Sequence, residues 1–401
     1  MDHDPGGPAA RTDLRTAQGV VVGDHARQRN TFRVDLPRHV RVPLLLLLVL
    51  ALGAGLVVVG VTWVVPLFAP TYKTQFLVDA ALGDGGADEV ASVSEALATV
   101  VGNSGDDDSQ SLRTFGGECG AEGNTAQLVG FGTGNHQDIT AAARSVRRGG
   151  RATLQRGIVE AVADFSGPFS LKATQVSRII VVTRHAADAC DPDEEFVRAQ
   201  IRDRVTSAGL GIEFRFIGHR IEQEDRPDLA ELTSELKAPQ PTYTRSQEEL
   251  NAALHWFATA EPVLRSSQSV LDVLNPTVDR LDAATEATEA TEATVDGRFD
   301  LAGTALAEAR SADVDDAIED LESRGRSPDA ARPLDHAVRL RDLRGRVLDA
   351  ADGLFAVARS GQDPKAAQDE YRRAAEDYNR EARTMTDELA RLRAKGPGGA
   401  G

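Results

Sequence analysis

The decisive stretch of this sequence reads Ile179-Ile180-Val181-Val182, an unbroken run of β-branched residues. A segment that is apolar at every position, and not only at every second one, is typical of a strand buried on both faces of a sheet. Other short segments share its β-forming character. The predicted strands are Tyr72 to Val78, Ser111 to Phe115, Gln127 to Phe131, Arg178 to Thr183 and Ile212 to Ile217.

Amphipathic stretches with helical spacing separate these strands. They run over Val90 to Val101, Ile139 to Arg147, Thr153 to Phe165 and Glu194 to Ala208. Strands that alternate with helices predict an α/β fold with a doubly wound, mostly parallel sheet. We assign this domain to residues 71–258, a length ample for one such domain.

The sequence changes character over residues 259–401, where strand signals vanish and Ala, Glu, Asp, Arg and Leu dominate. Apolar residues recur at helical spacing, as in Ala337, Leu340 and Val347. This pattern predicts an all-α region of several helices, packed as an antiparallel bundle or a coiled coil, with homo-oligomerisation through these helices as an expectation. Predicted breaks fall at Pro276, Gly297, Gly325 to Pro328, Gly361 to Pro364 and Gly396.

Towards the N-terminus, residues 43–69 are uncharged and mainly apolar. About 20 apolar residues span a bilayer core as a helix, so this segment predicts one transmembrane helix. The alternative is a cleaved signal peptide, but the apolar region is long for one and no small-residue cleavage pattern closes it. Residues 1–42 are polar and predict a disordered tail.

Charge predicts the orientation of the chain and excludes one class of partner. Several arginines precede the apolar segment and only Lys73 follows it closely, so the tail is expected in the cytoplasm and the C-terminal domains outside a cell membrane crossed once. The whole chain has 45 basic and 62 acidic residues, a formal net charge of −17. An acidic chain of this kind repels nucleic acid, so no nucleic-acid partner is expected.

The middle domain carries motif pieces in a recognisable order. They are Phe76-Leu77-Val78-Asp79, Leu112 to Cys119, Gly150-Arg151-Ala152-Thr153-Leu154, Ile179 to Thr183 and Ser246 to Leu250. In order and spacing they resemble the von Willebrand factor type A family over most of residues 72–258. The resemblance implies a protein-binding domain whose ligand face lies at the carboxyl ends of the strands.

In that family the face holds a metal-ion-dependent adhesion site, and here the pattern is degenerate. Asp79 and Thr153 match the family's ligands, but Ala81 and Gly83 stand where two serines belong, and Arg184 stands where a second Asp would follow the fourth strand. Ala and Gly offer no side-chain oxygen, and Arg keeps its positive charge. We therefore expect no cofactor and no Mg²⁺ at this face.

The binding face predicted from the resemblance comprises Asp79, Ala81, Gly83, Thr153, Arg184 and His185. One hypothesis places the Arg184 guanidinium against the Asp79 carboxylate, in the position of the cation. The alternative is that both side chains point to solvent, where an ion pair contributes roughly 0–1 kcal/mol.

The only two cysteines are Cys119 and Cys190. An extracytoplasmic location favours a disulfide, whereas a cytoplasmic one would favour two unrelated thiols. The resemblance adds that one cysteine follows the second strand and the other the fourth, at the same end of the sheet. A bridge would therefore cross the degenerate site.

The tail offers a second, weaker resemblance. The stretch Gln18-Gly19-Val20-Val21-Val22-Gly23-Asp24-His25, with Gln28 and Asn30 after it, looks like the amyloid-signalling motifs of bacterial membrane proteins. Such motifs suit stacked in-register strands, although Arg27 and Arg29 would place like charges in the stack. This pattern supports an alternative function, a transmembrane signalling receptor whose tail nucleates a cytoplasmic assembly.

Catalytic motifs are missing from the sequence. It has no Gly-x-Ser-x-Gly, no phosphate-binding Gly-rich loop ending in Lys-Ser or Lys-Thr, and no His pair at metalloprotease spacing. Acidic runs such as Asp106-Asp107-Asp108 are expected to be solvated. We expect a non-enzymatic, membrane-anchored module that binds a protein partner outside the membrane.

Overall fold

The structure, a computed structural model, describes the two folded regions with gaps. The described residues are 72–81, 87–105, 107–119, 124–146, 150–165, 176–186, 190, 195, 199–203, 211–289, 295–311 and 314–397. The predicted tail, the predicted transmembrane segment and Gly83 lie outside them. Among the residues that are described, no helix is both long and apolar enough to cross a membrane.

The α/β region is built on a six-stranded sheet, which confirms the predicted fold class. The strands are β1 (Tyr72–Asp79), β2 (Ser109–Phe115), β3 (Thr125–Gly132), β4 (Val176–Thr183), β5 (Ile212–His219) and β6 (Thr242–Thr244). Their order is β3-β2-β1-β4-β5-β6, with β3 antiparallel to β2 and every other pair parallel. The sheet is therefore mostly parallel, and β3 is an antiparallel edge strand.

The helices of this region pack on both faces of the sheet. They are α1 (Ala87–Gly102), α2 (His136–Arg144), α3 (Leu154–Ala163), α4 (Arg226–Glu235) and α5 (Gln247–His255). The decisive stretch in β4 divides between the two layers: Ile180 and Val182 join the core under α1 and α5, and Ile179 and Val181 join the core under α3 and α4. Burial on both faces is why this strand is continuously apolar.

The C-terminal region is helical, as predicted. It contains α6 (Glu261–Glu289), α7 (Val295–Ser311), α8 (Val314–Ser323), α9 (Ala331–Arg359) and α10 (Lys365–Ala394). Two tyrosines of α10 show that it runs antiparallel to α6, because Tyr371 bonds Asp282 at 2.6 Å and Tyr378 bonds Asn275 at 3.1 Å. The apolar faces of these helices form one core of their own.

The predicted helix breaks at Pro276 and Gly297 are wrong, since Pro276 lies inside α6 and Gly297 inside α7. A proline in a helix removes one backbone donor and disturbs the preceding turn. The carbonyl that loses its donor is that of Asp272, one turn earlier, and the helix nevertheless continues through Pro276. Packing of the apolar side of α6 then outweighs the local cost.

The two regions are joined by an uninterrupted helical segment. α5 passes into a π-helical turn at Trp256–Ala260 and then directly into α6. Phe257 and Ala258 belong to the sheet core, whereas Ala260 and Val263 belong to the helical core. One continuous helical segment therefore connects the α/β region to the bundle.

Buried ion pairs fix the bundle against the amino ends of the strands. Arg178, near the start of β4, is fully buried and donates to the Phe257 carbonyl at 2.5 Å and to Glu261 at 3.4 Å. Arg324 donates to both carboxylate oxygens of Asp108 at 2.6 and 2.7 Å. The prediction that Asp108 is solvated is wrong, because the bundle covers it and only 3% of its surface is exposed.

Candidate functional site

The candidate site lies at the carboxyl edge of the sheet, between β1 and β4. The strand order reverses at β1, since β2 lies on one side of it and β4 on the other. Open α/β sheets bind their ligands beyond the carboxyl ends of the strands at such a switch point. β1 ends in Asp79 and β4 ends in Thr183, so their terminal side chains meet at this edge.

Asp79 is completely buried, and each of its carboxylate oxygens accepts a hydrogen bond from the protein itself. Oδ1 accepts the backbone N–H of Ala81 at 2.8 Å. Oδ2 accepts the backbone N–H of Arg184 at 3.2 Å and lies 3.0 Å from Nδ1 of His185. A buried carboxylate needs such partners, because an unpaired charge is costly away from water.

His185 supplies the side-chain partner of this carboxylate. Hydrogen bonding to Asp79 raises the pKa of His185, although partial burial and the charge of Arg184 act in the opposite direction. The side chain of His185 keeps 32% of its surface exposed. One edge of the imidazole therefore serves Asp79, while the rest of the ring is available at the surface.

The loop after β4 is shaped by Thr183. Its hydroxyl donates to the His185 carbonyl at 2.6 Å and accepts the His185 N–H at 3.1 Å, and it lies 3.3 Å from Oδ2 of Asp79. This tight local turn directs the imidazole back towards β1. Thr183 was not among the predicted face residues, although a threonine that ends a buried strand beside the site is a signal for it.

Thr153 is buried directly before α3 and holds two loops together. Its hydroxyl accepts the Gly116 N–H at 2.9 Å and donates to the Asn124 carbonyl at 3.0 Å. Gly116 has a φ of +107°, and a Cβ there would lie 2.6 Å from the backbone nitrogen of Ala81. The loops after β1 and β2 are therefore in direct contact. The hydroxyl of Thr153 is already used, as acceptor and as donor, in hydrogen bonds within the protein.

The predicted face residues are brought together in part. Asp79, Ala81, Arg184 and His185 share hydrogen bonds around one carboxylate. The contact from Arg184 to Asp79 is made by the backbone N–H, and the side chain that pairs with the carboxylate is that of His185. The imidazole of His185, two residues after β4 ends, therefore takes the place beside Asp79 that the hypothesis gave to the Arg184 guanidinium.

The disulfide between Cys119 and Cys190 confirms the predicted bridge. The two residues are 71 positions apart in sequence, and their Cα atoms lie 5.0 Å apart. Gly117 and Arg151 exchange backbone hydrogen bonds of 3.0 and 2.8 Å, which fasten the Cys119 loop to the segment before α3. The bridge thus links the loop after β2 with the segment that follows β4.

The donor set does not fit the divalent cation that the type A resemblance implies. Such a cation takes several oxygen ligands, and Mg²⁺ takes them in an octahedron. Here both oxygens of Asp79 already accept N–H bonds, Ala81 contributes a methyl group, and the hydroxyl of Thr153 is engaged. Within the described ranges no three His, Cys, Asp or Glu side chains gather as a metal-binding group.

Comparisons with known proteins give distant structural likenesses only. No family model matches the chain, and no curated protein matches its sequence. A pilus adhesin, SpaC from Lactobacillus rhamnosus GG, is 14% identical with a TM-score of 0.36, over 46% of this chain and 30% of that one. The chain therefore spans less than a third of that adhesin.

Two further solved structures are von Willebrand domains. That of the type V pili tip protein Mfa5 from Porphyromonas gingivalis is 10% identical with a TM-score of 0.36, over 47% of this chain and 93% of that one. A von Willebrand factor type A structure from Catenulispora acidiphila is 12% identical with a TM-score of 0.34, over 47% of this chain and 42% of that one. At these scores the likenesses assign neither a family nor a function.

Proposed function

We propose that this chain is a membrane-anchored, extracytoplasmic interaction module of the type A kind, which binds a protein partner through the carboxyl-edge face around Asp79. The face works without a metal and without catalysis. The observation that carries this proposal is the contact between Asp79 and His185: the protein's own imidazole bonds the carboxylate that the resembling family uses for its cation.

The chemistry of the face supports a protein partner. Arg184 and His185 are both half-buried at the edge and both cationic when His185 is protonated. Half-buried side chains held in a fixed geometry suit recognition of a protein surface, because little conformational freedom is lost on binding. The charge of protonated His185 is balanced by Asp79, so the face presents polar groups that suit a polar partner surface. The Thr183 hydroxyl donates to the backbone carbonyl of His185 and not to its ring, so this pair supplies no activated nucleophile.

The placement of the bundle supports an outward-facing site. β1 begins at Tyr72 at the amino edge of the sheet, the edge where Arg324 and Glu261 also make their ion pairs. The site lies at the opposite edge. The candidate face is therefore at the end of the sheet away from these ion pairs with the bundle, and the helical region would act as a spacer or a second docking surface.

Proximity labelling from the outer face of intact cells tests this function, with the labelling enzyme fused to the C-terminus of the full chain. We compare the wild type with His185→Glu, which reverses the charge at the face, and with Arg310→Glu as a matched control on the bundle surface, where the Arg310 side chain is 51% exposed. The proposal expects a set of labelled proteins that is lost in His185→Glu and retained in Arg310→Glu. Equal sets in all three chains would contradict it, as would labelling confined to cytoplasmic proteins.

A further inference from the structure

The Cys119–Cys190 disulfide has an exposed end with a cation beside it. Cys119 is exposed and Cys190 is half-buried. Nη1 of Arg151 lies 3.7 Å from Sγ of Cys119, within hydrogen-bonding distance of a sulfur acceptor. Arg151 is held there by its backbone hydrogen bonds to Gly117, two residues before Cys119.

This arrangement places a permanent positive charge beside the Cys119 sulfur. A guanidinium keeps its charge at any physiological pH, and a neighbouring cation stabilises a thiolate relative to a thiol. In thiol–disulfide exchange, the sulfur with the lower thiol pKa is the better leaving group. Arg151 therefore favours departure of Cys119 as a thiolate when the bond between the cysteines is broken.

We propose that Cys119–Cys190 is a thiol–disulfide exchange site that takes an external thiol or dithiol as its co-reactant. The incoming thiolate attacks Sγ of Cys190 and forms a new disulfide with it. The original S–S bond breaks, and its electron pair leaves on Sγ of Cys119, beside Arg151. A second external thiolate then attacks the sulfur of the bound reagent, which releases Cys190 as a thiolate. The protein gains two electrons, and the reagent leaves as its disulfide.

The Cys119 side of the bridge keeps other contacts after exchange. The Cys119 loop keeps its backbone bonds to Arg151 and its contact with Thr153 through Gly116. Cys190 lies five residues after His185 in sequence, so opening the bridge removes a covalent restraint from the segment that carries the binding face. Only this consequence for binding rests on the proposed function; the exchange chemistry does not.

The first test maps the mixed disulfide on the full wild-type chain in its oxidised form. The chain is treated with 2-mercaptoethanol, quenched with iodoacetamide during the first turnover and analysed by peptide mass spectrometry. We expect the mercaptoethanol adduct on Cys190 and the alkyl group on Cys119. The reverse assignment, or equal labelling of both cysteines, would overturn the proposal. This test needs no variant and no partner, so its failure is distinct from failure of the proposed function.

The second test measures the rate constant of the same reaction in three variants. Arg151→Gln removes the charge but keeps the backbone bonds to Gly117, and we expect a roughly two- to fivefold slower release of Cys119. Arg151→Lys should retain most of the wild-type rate. Arg144→Gln, an exposed arginine at the end of α2, is the matched control and should leave the rate unchanged. A rate in Arg151→Gln equal to that of the wild type would also overturn the proposal.

Discussion

Nδ1 of His185 lies 3.0 Å from Oδ2 of Asp79, so a side chain from the loop after β4 is paired with the carboxylate that ends β1. The two residues are 106 positions apart in sequence. They meet because β1 and β4 are parallel neighbours in register, with Val78 opposite Val182. The sheet thus converts two distant chain positions into one contact at the binding face.

The pair predicts a stability that depends on pH. Asp79 raises the pKa of His185 in the folded protein above its unfolded value of about 6.5. Protonated His185 therefore stabilises the fold fully below that unfolded value, and the contribution is lost as pH rises through the raised pKa of the folded state. In NMR titrations, Asp79→Asn should lower the pKa of His185. A pKa of His185 that is the same in Asp79→Asn and in the wild type would contradict the assignment.

Metal binding gives the second prediction. Calorimetric titration of the full chain with Mg²⁺ or Mn²⁺ should show no saturable binding at the face, because both oxygens of Asp79 accept N–H bonds. Asp79→Ala serves as the control for any heat that appears elsewhere on this acidic chain. Saturable binding in the wild type that is lost in Asp79→Ala would contradict the prediction that the face binds no metal.

The disulfide gives the third prediction. In the chain-entropy model, a bridge that closes a loop of about 70 residues stabilises a fold by about 4 kcal/mol. The double variant Cys119→Ser, Cys190→Ser should lose stability of this order in denaturant unfolding followed by circular dichroism. Wild type unfolded under reducing conditions is the matched control and should show the same loss. A double variant as stable as the oxidised wild type would show that the bridge restrains little of the unfolded chain.

The fourth prediction concerns the pair that joins the bundle to the sheet. Removing one partner of a buried ion pair leaves an uncompensated charge and costs about 3–5 kcal/mol. Arg324→Met should destabilise the protein by this amount, since Asp108 and Arg324 are both almost fully buried. Arg310→Met removes an exposed pair with Asp352 and should cost less than about 1 kcal/mol. Equal losses of stability in the two variants would mean that the buried ion pair at the junction contributes no more than the exposed pair.

Close packing beneath the site gives the fifth prediction. A Cβ on Gly157 in α3 would lie 2.7 Å from the Cβ of Phe115. Gly157→Ala should therefore destabilise the protein by about 1–3 kcal/mol, as overpacking does. Gly345→Ala in α9 meets nothing within 4 Å and should stabilise by about 0.5–1 kcal/mol through helix propensity. Thermal unfolding of both variants measures the contrast, and destabilisation by both would refute it.

Much of the fold could be predicted because burial leaves a pattern in the sequence. β4 lies between two helical layers, so each of its apolar positions is needed, and its run of β-branched residues is visible without a structure. β6 has three residues, which is too few for a strand signal. The helix α4 was not predicted, although Pro227 in its first turn and the spacing of Leu229 and Leu232 are helix signals. Pro276 misled the prediction because its cost is local, whereas the packing that offsets it is distant in sequence.

The candidate site could be predicted only to the level of which loops meet. Asp79 and Thr153 were found from the resemblance, and the cysteines from their place after two strands. The side chain that pairs with Asp79 depends on how the chain turns at Thr183. A difference of one residue in the path of this loop decides which side chain reaches the carboxylate. Spacing alone does not distinguish a guanidinium at Arg184 from an imidazole at His185.

The position of β1 has a mechanical consequence. β1 begins at Tyr72, ends at the binding face, and has parallel neighbours on both sides. A pull applied between the two ends of β1 is directed along this strand. The hydrogen bonds on its two flanks are then loaded together in shear, and none is opened alone as in unzipping. The centre of the sheet is thus mechanically more resistant to tension along β1 than a strand paired on one side only.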